Sequence, residues 1–150
     1  MKKLFFLTLF LFAVAFFSQS VNAQTEAQRI ELCSRLAGSD ATYQNSYPVQ
    51  LSAAMPGGRA PSFKQGIAIL KGNTLRFTIC TDEESSGEAI LSLYDQGKLV
   101  ASSYIPETGK MYQSIDFNCN KTGPYVLEIT FKDGREGSAV GIMSLVKKFK

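Results

Sequence analysis

The 150-residue sequence contains no histidine and no tryptophan. Without histidine, a Ser-His-Asp or Cys-His nucleophile pair and a histidine-ligated zinc are excluded. Chemistry built on carboxylates, lysine or tyrosine survives that exclusion, but most hydrolytic machinery does not. Without tryptophan, the side chain best suited to lie flat against a sugar ring is missing, although six tyrosines remain. Cysteine is scarce: Cys33, Cys80 and Cys119 are all there is. In an oxidising compartment three cysteines allow one disulfide and leave one thiol over. Charge of one sign does not dominate either, with 16 Lys and Arg against 13 Asp and Glu.

The one long apolar run sits near the start. Lys2 and Lys3 precede Leu4 to Phe17, which is apolar apart from one Thr, and a polar stretch follows from Ser18 to Asn22. Val21 and Ala23 place small residues three before and one before a cut between Ala23 and Gln24. This three-part layout is that of a secretory signal peptide. The run is shorter than the roughly 20 residues a spanning helix needs. We therefore expect a signal peptide over residues 1–23 and a single domain over 24–150, not membrane-spanning after cleavage. The remaining 127 residues are enough for a buried core. Six of the eleven Phe and two of the cations leave with the signal, so the mature chain is near neutral, at 14 cations to 13 anions. That balance makes no electrostatic case for nucleic acid. Lys147, Lys148 and Lys150 read as a solvated end.

After the cut, residues 25–37 read as a helix. Thr25 and Gln28 form a weak capping box. Ala27, Ile30, Cys33 and Leu36 supply an apolar stripe, and Gly38 is a stop. Beyond a first strand around "YPVQLS" and a Pro-Gly-rich loop, "MPGGRAP", the chain reads as strands and turns only. Leu75, Phe77 and Ile79 alternate with polar neighbours, as do Ala89, Leu91 and Leu93. Ile115, Phe117 and Cys119 do the same, followed by Tyr125, Leu127, Ile129 and Phe131. Asp95 to Lys98 predicts a hairpin turn, and "KDGREG" (132–137) predicts another. The expectation is an all-β, antiparallel β-sandwich, jelly-roll-like, of about seven or eight strands, with a short N-terminal helix.

Two segments carry a family resemblance. "AILSLYDQGKLVASS" (89–103) has a strand, Gly-containing turn and strand. "TGPYVLEITF" (122–131) leads through Gly-Pro-Tyr into a late strand. Over roughly residues 67–132 the chain resembles the pre-peptidase C-terminal domain, a small jelly-roll sandwich of exported bacterial proteins. The acidic pair that often precedes the first of these strands in that family is reduced here to Glu88. The whole chain also resembles small uncharacterised exported proteins of Bacteroidota. The resemblance implies a periplasmic or extracellular location.

Candidate sites are few. Asp82, Glu83, Glu84 and Glu88 share a loop, but their spacing matches no calcium loop. Asn120-Lys121-Thr122 is a glycosylation sequon by pattern, meaningful only in a eukaryotic secretory route. Tyr125 after Gly123-Pro124 reads as a tyrosine corner. Three disulfide pairings are open. Cys80 and Cys119 at strand ends beside polar loops favour a bond between them, while Cys33 on the helix stripe reads as packed. Their parity differs, since Cys119 shares a face with Phe117 and Cys80 opposes Phe77 and Ile79. The functional expectation is a non-catalytic binding or accessory module with no cofactor and no metal, whose partner is an envelope protein or a surface glycan. The alternative is a subunit that assembles through an edge strand or the free cysteine. A carboxylate-based hydrolase ranks last.

Overall fold

The computed structural model describes residues 20–148, with side chains described from 25 to 146. The expected signal segment lies outside the described residues up to residue 19. The expected cut between Ala23 and Gln24 falls in the first turns of a helix, α1 (Ser20–Leu36).

Among the described residues ten strands follow: β1 (Thr42–Leu51), β2 (Phe63–Ile69), β3 (Asn73–Thr81), β4 (Ala89–Asp95), β5 (Lys98–Ser102), β6 (Tyr104–Ile105), β7 (Lys110–Met111), β8 (Ser114–Asn118), β9 (Gly123–Phe131) and β10 (Gly137–Lys148). One sheet has the order β1-β10-β3-β8, the other β2-β9-β4-β5, and β6 and β7 form a separate ribbon. Setting that ribbon aside leaves eight strands. The first pairs with the last (β1 with β10), the second with the seventh (β2 with β9), the third with the sixth (β3 with β8), and the fourth with the fifth (β4 with β5). A long antiparallel ribbon wrapped into two facing sheets gives this nested pairing, which is a jelly roll.

Side-chain parity fixes which face of each strand is dry. Tyr125, Leu127, Ile129 and Phe131 of β9 are all buried, as are Leu75, Phe77 and Ile79 of β3 and Ala89, Leu91 and Leu93 of β4. These meet Tyr47, Val49 and Ala139 in one continuous core. Val126 on the other face of β9 is 39% exposed, and Glu128 there pairs with Lys64 across the strands at 3.5 Å. Gly137, at the start of β10, leaves room that only a missing side chain provides, because a Cβ there would overlap the Phe131 ring. The Tyr125 hydroxyl donates to the Lys121 carbonyl at 2.8 Å, closing the expected tyrosine corner. Burial pushes the Tyr125 phenol up to about 12, and the neighbouring Cys119 thiol adds to the effect.

The turns sort by their backbone. Gln96 and Gly97 both have positive φ, at 49° and 79°, so β4 and β5 form a tight hairpin of the primed kind. The expected hairpin at "KDGREG" is not one. Residues 132–134 form a single 3-10 turn, and the strands on either side, β9 and β10, belong to different sheets. The segment is a crossover between layers, and its two glycines do not mark a pairing. A second, short ribbon brackets Pro106–Gly109, where Tyr104 and Ile105 pair with Met111 and Lys110.

Helix α1 lies on the outer face of the first sheet. Cys33 packs with Val140 and Ile142 there, and Ile30 and Cys80 pack at the margin. The expected stripe is corrected, because Leu36 is 54% exposed and the buried positions are Cys33 and Ala37. The reason is the 3.6-residue turn: four residues spaced by three drift half-way round the helix, whereas Ile30, Cys33 and Ala37 stay on one side. Arg76 of β3 holds the far end of the helix. Its guanidinium donates to the Ala37 carbonyl at 2.7 Å and to Asp40 at 2.9 Å. It also makes two bonds to Asp116 of β8, at 2.7 and 2.9 Å. The carboxylate of Asp116 raises the guanidinium's pKa still further above its usual value.

The disulfide joins Cys33 to Cys80, with Cα atoms 5.9 Å apart, and not Cys80 to Cys119. Parity decides this. Cys80 opposes Phe77 and Ile79, so it points out of the sandwich, beneath the helix. Cys119 points inward, is fully buried as a free thiol, and lies 3.6 Å from the Tyr125 hydroxyl. The two side chains stand on opposite faces of the sheet and cannot meet.

Candidate functional site

The sheet beneath α1 is not fully covered. Where β1 ends, β3 ends and β10 begins, the loop Asp82–Ser86 rises beside the helix and leaves an open groove of about 970 Å³ between them. The loop is tied down firmly. The Asp82 N–H donates to the Ser138 carbonyl at 2.9 Å. The Ser85 hydroxyl accepts from the Ser138 N–H at 2.9 Å and donates to the Ser138 carbonyl at 3.0 Å. The Gly87 N–H donates to the Glu136 carbonyl at 3.0 Å. One ion pair, Arg29 with Asp82, joins helix to loop.

The walls differ in character. On the helix side Leu32 and Leu36, one turn apart, are 61% and 54% exposed and face the groove, and Leu51 adds to them from the end of β1. On the loop side stand Asp82, Glu83, Glu84 and Glu136, with the Cys33–Cys80 bond between the walls. Arg29 is the one cation among the lining residues, so the lining carries a formal charge of −3. Glu83, Glu84 and Glu136 are exposed, and among the described residues no ion pair neutralises them. Gln28, Gln50 and Gln113 contribute exposed amides.

The sequence singled out Asp82, Glu83 and Glu84, and the structure places all three on the groove. Glu88, expected with them, is not among the lining residues, while Glu136 joins from the crossover. Among the described residues no group of three or more Cys, Asp or Glu side chains is placed to hold a metal ion. Cys119 and Tyr125 belong to the core, away from the groove. Asn120, Lys121 and Thr122 are exposed, and the Thr122 hydroxyl is taken up by the Lys71 N–H at 2.8 Å. Leu32 and Leu36 were missed because a helix that buries one narrow face leaves its other leucines indistinguishable, in sequence, from core positions.

The tyrosines do not gather into a flat surface. The Lys132 ammonium sits 5.5 Å from the centre of the Tyr104 ring, and Lys110 sits 5.0 Å from that of Tyr112. Tyr43 lies on β1 and Tyr112 precedes β8, at opposite edges of one sheet. The Tyr94 phenol is pushed up by burial and by the neighbouring Glu128 carboxylate.

The β1 edge is blunted against strand addition. Pro48 has no N–H to offer, and a proline in the middle of a paired strand turns its nitrogen to the open side. The Ser46 N–H, two residues away on the same side, is taken by the Asn45 side chain at 2.9 Å. A bulge between Tyr43 and Asn45 bends the rest of the edge.

Among the described residues no helix is long and apolar enough to cross a membrane. A scan against protein-family models finds no match to this chain, and a search of curated proteins finds none either.

Proposed function

We propose that the chain is an exported, non-catalytic binding or accessory module of the periplasm or the extracellular space, and that its partner is an envelope protein seated in the groove beside α1. The groove carries this reading: it is the place where large apolar side chains, unpaired carboxylates and free amides meet on a rigid frame. The Cys33–Cys80 bond supports an oxidising compartment. A glycan partner is less well supported, since two tyrosine rings are already occupied by lysines. Assembly through Cys119 is disfavoured by its complete burial, and assembly through β1 by its blunted edge. A hydrolase would need a second carboxylate facing a free one. Asp82, the least exposed of the four, is held by Arg29 instead.

The test is affinity capture from envelope extract by the wild-type protein and by a Leu32→Ala/Leu36→Ala variant. Both positions are exposed and alanine favours the helix, so the variant keeps its fold. Capture that is sensitive to protease treatment of the extract and lost in the variant is the expected result. Equal capture by both proteins would remove the groove from consideration, and capture that survives protease would point to a glycan.

A further inference from the structure

We infer that the groove takes a cationic segment of a partner protein, one that carries lysine or arginine together with apolar side chains. This rests on the groove being the binding site. The first observation is charge segregation. The whole chain has 16 cations against 13 anions, yet the groove lining has one cation against four carboxylates. The anions concentrated there are therefore out of step with the rest of the molecule. Arg29 is engaged with Asp82, which leaves Glu83, Glu84 and Glu136 facing solvent.

The second observation is the opposite wall. Leu32 and Leu36 stand one helical turn apart, both more than half exposed among the described residues. A small inorganic cation would use the carboxylates and leave the leucines wet. A purely apolar ligand would bury the leucines and strand three carboxylates without water, which is costly. A segment with cationic and apolar side chains satisfies both walls together. The third observation selects a peptide. Gln28, Gln50 and Gln113 present side-chain amides, which can donate to and accept from a peptide backbone.

The experiment measures fluorescence anisotropy of a labelled short peptide of lysine and leucine, and of its counterpart with glutamate for lysine, against the full chain. The lysine peptide should bind, more weakly as salt is raised, and the glutamate peptide should not. Exposed ion pairs contribute about 2- to 5-fold each. Glu83→Lys/Glu84→Lys, which removes two and adds two repulsions, should weaken binding by at least about tenfold. Glu107→Lys, an exposed charge reversal in the β6–β7 turn, should leave it unchanged. Equal loss in that control would mean non-specific attraction and overturn the proposal.

The two readings fail differently. Envelope capture that is lost in Leu32→Ala/Leu36→Ala but indifferent to Glu83→Lys/Glu84→Lys and to salt keeps the groove and overturns the cationic partner. Capture indifferent to every variant overturns the groove itself. A concentration-dependent dimer of the full chain that dissolves in Glu83→Lys/Glu84→Lys would make the occupant a second copy and overturn the foreign partner.

Discussion

Reduction of the Cys33–Cys80 bond should lower the stability of the domain by about 4 kcal/mol. The bond closes a loop of 47 residues, and loop-entropy arithmetic for that length gives about 4 kcal/mol of restriction on the unfolded chain. The folded state loses little, because both sulfurs stay where they are, packed with Ile30, Val140 and Ile142. The effect should therefore come from the unfolded side. The reduced chain, free to expand, should show a somewhat steeper denaturant dependence as well as an earlier midpoint. Against a total of roughly 5–15 kcal/mol, the loss leaves the reduced domain marginal. Urea melts of the protein with and without reductant, followed by circular dichroism, measure it. The control is Cys119→Ala, whose melt should respond to reductant as the parent does, since Cys119 takes no part in the bond. A difference between oxidised and reduced melts below about 1 kcal/mol would show that the cross-link restrains nothing the fold does not already restrain. A mass map placing Cys119 in the bond would refute the parity argument directly.

Phe131→Ala should cost about 3–5 kcal/mol in the same melts, the range for a buried aromatic, because its ring fills the space against Gly137. Gly137→Ala should lose about 1–3 kcal/mol by overpacking that ring, and a melt equal to the parent's would place the ring elsewhere. Tyr125 titrates high when folded, at about 12 against the ordinary 10.0. Its protonated form is favoured in the fold, so its contribution is complete below the unfolded value and is lost as pH rises through the folded one. Phenolate absorbance should show fewer tyrosines ionising near pH 10 than in the unfolded chain, because Tyr47, Tyr94 and Tyr125 are all pushed up by burial. Tyr125→Phe should flatten the fall in stability between those two values.

The strands were legible because a two-residue period is a direct image of a sheet with one dry face. Leu75, Phe77 and Ile79, and then Tyr125 to Phe131, could be placed inside from spacing alone. What spacing does not carry is which strand lies beside which. The crossover at "KDGREG" has the composition of a hairpin turn, and only the pairing of β9 with β4 and of β10 with β3 shows that the chain changes layers. The disulfide was misassigned for a related reason. The parity of Cys80 already turned it away from the core, but it takes a helix lying on the outside of the sheet to give an outward cysteine a partner. The groove was the least legible feature. Its acidic wall joins the short run Asp82–Glu84 to Glu136 from the crossover, while its apolar wall comes mainly from a helix nearly fifty residues before that run.

The place of β10 in the first sheet sets the order in which the molecule can form. It is the last strand along the chain, yet it lies between β1 and β3, and its outer face supplies Val140 and Ile142 as the floor beneath α1. Until it emerges, β1 has no neighbour, the helix has nothing to rest on, and Cys33 has no packed surface to hold it over Cys80. The domain therefore cannot fold piecemeal behind an advancing N-terminus. The first sheet is complete only once nearly the whole domain is present, and its slowest contacts are those between its two most distant strands. A chain wired this way stays open along most of its length, and becomes locked once β10 takes its place between β1 and β3.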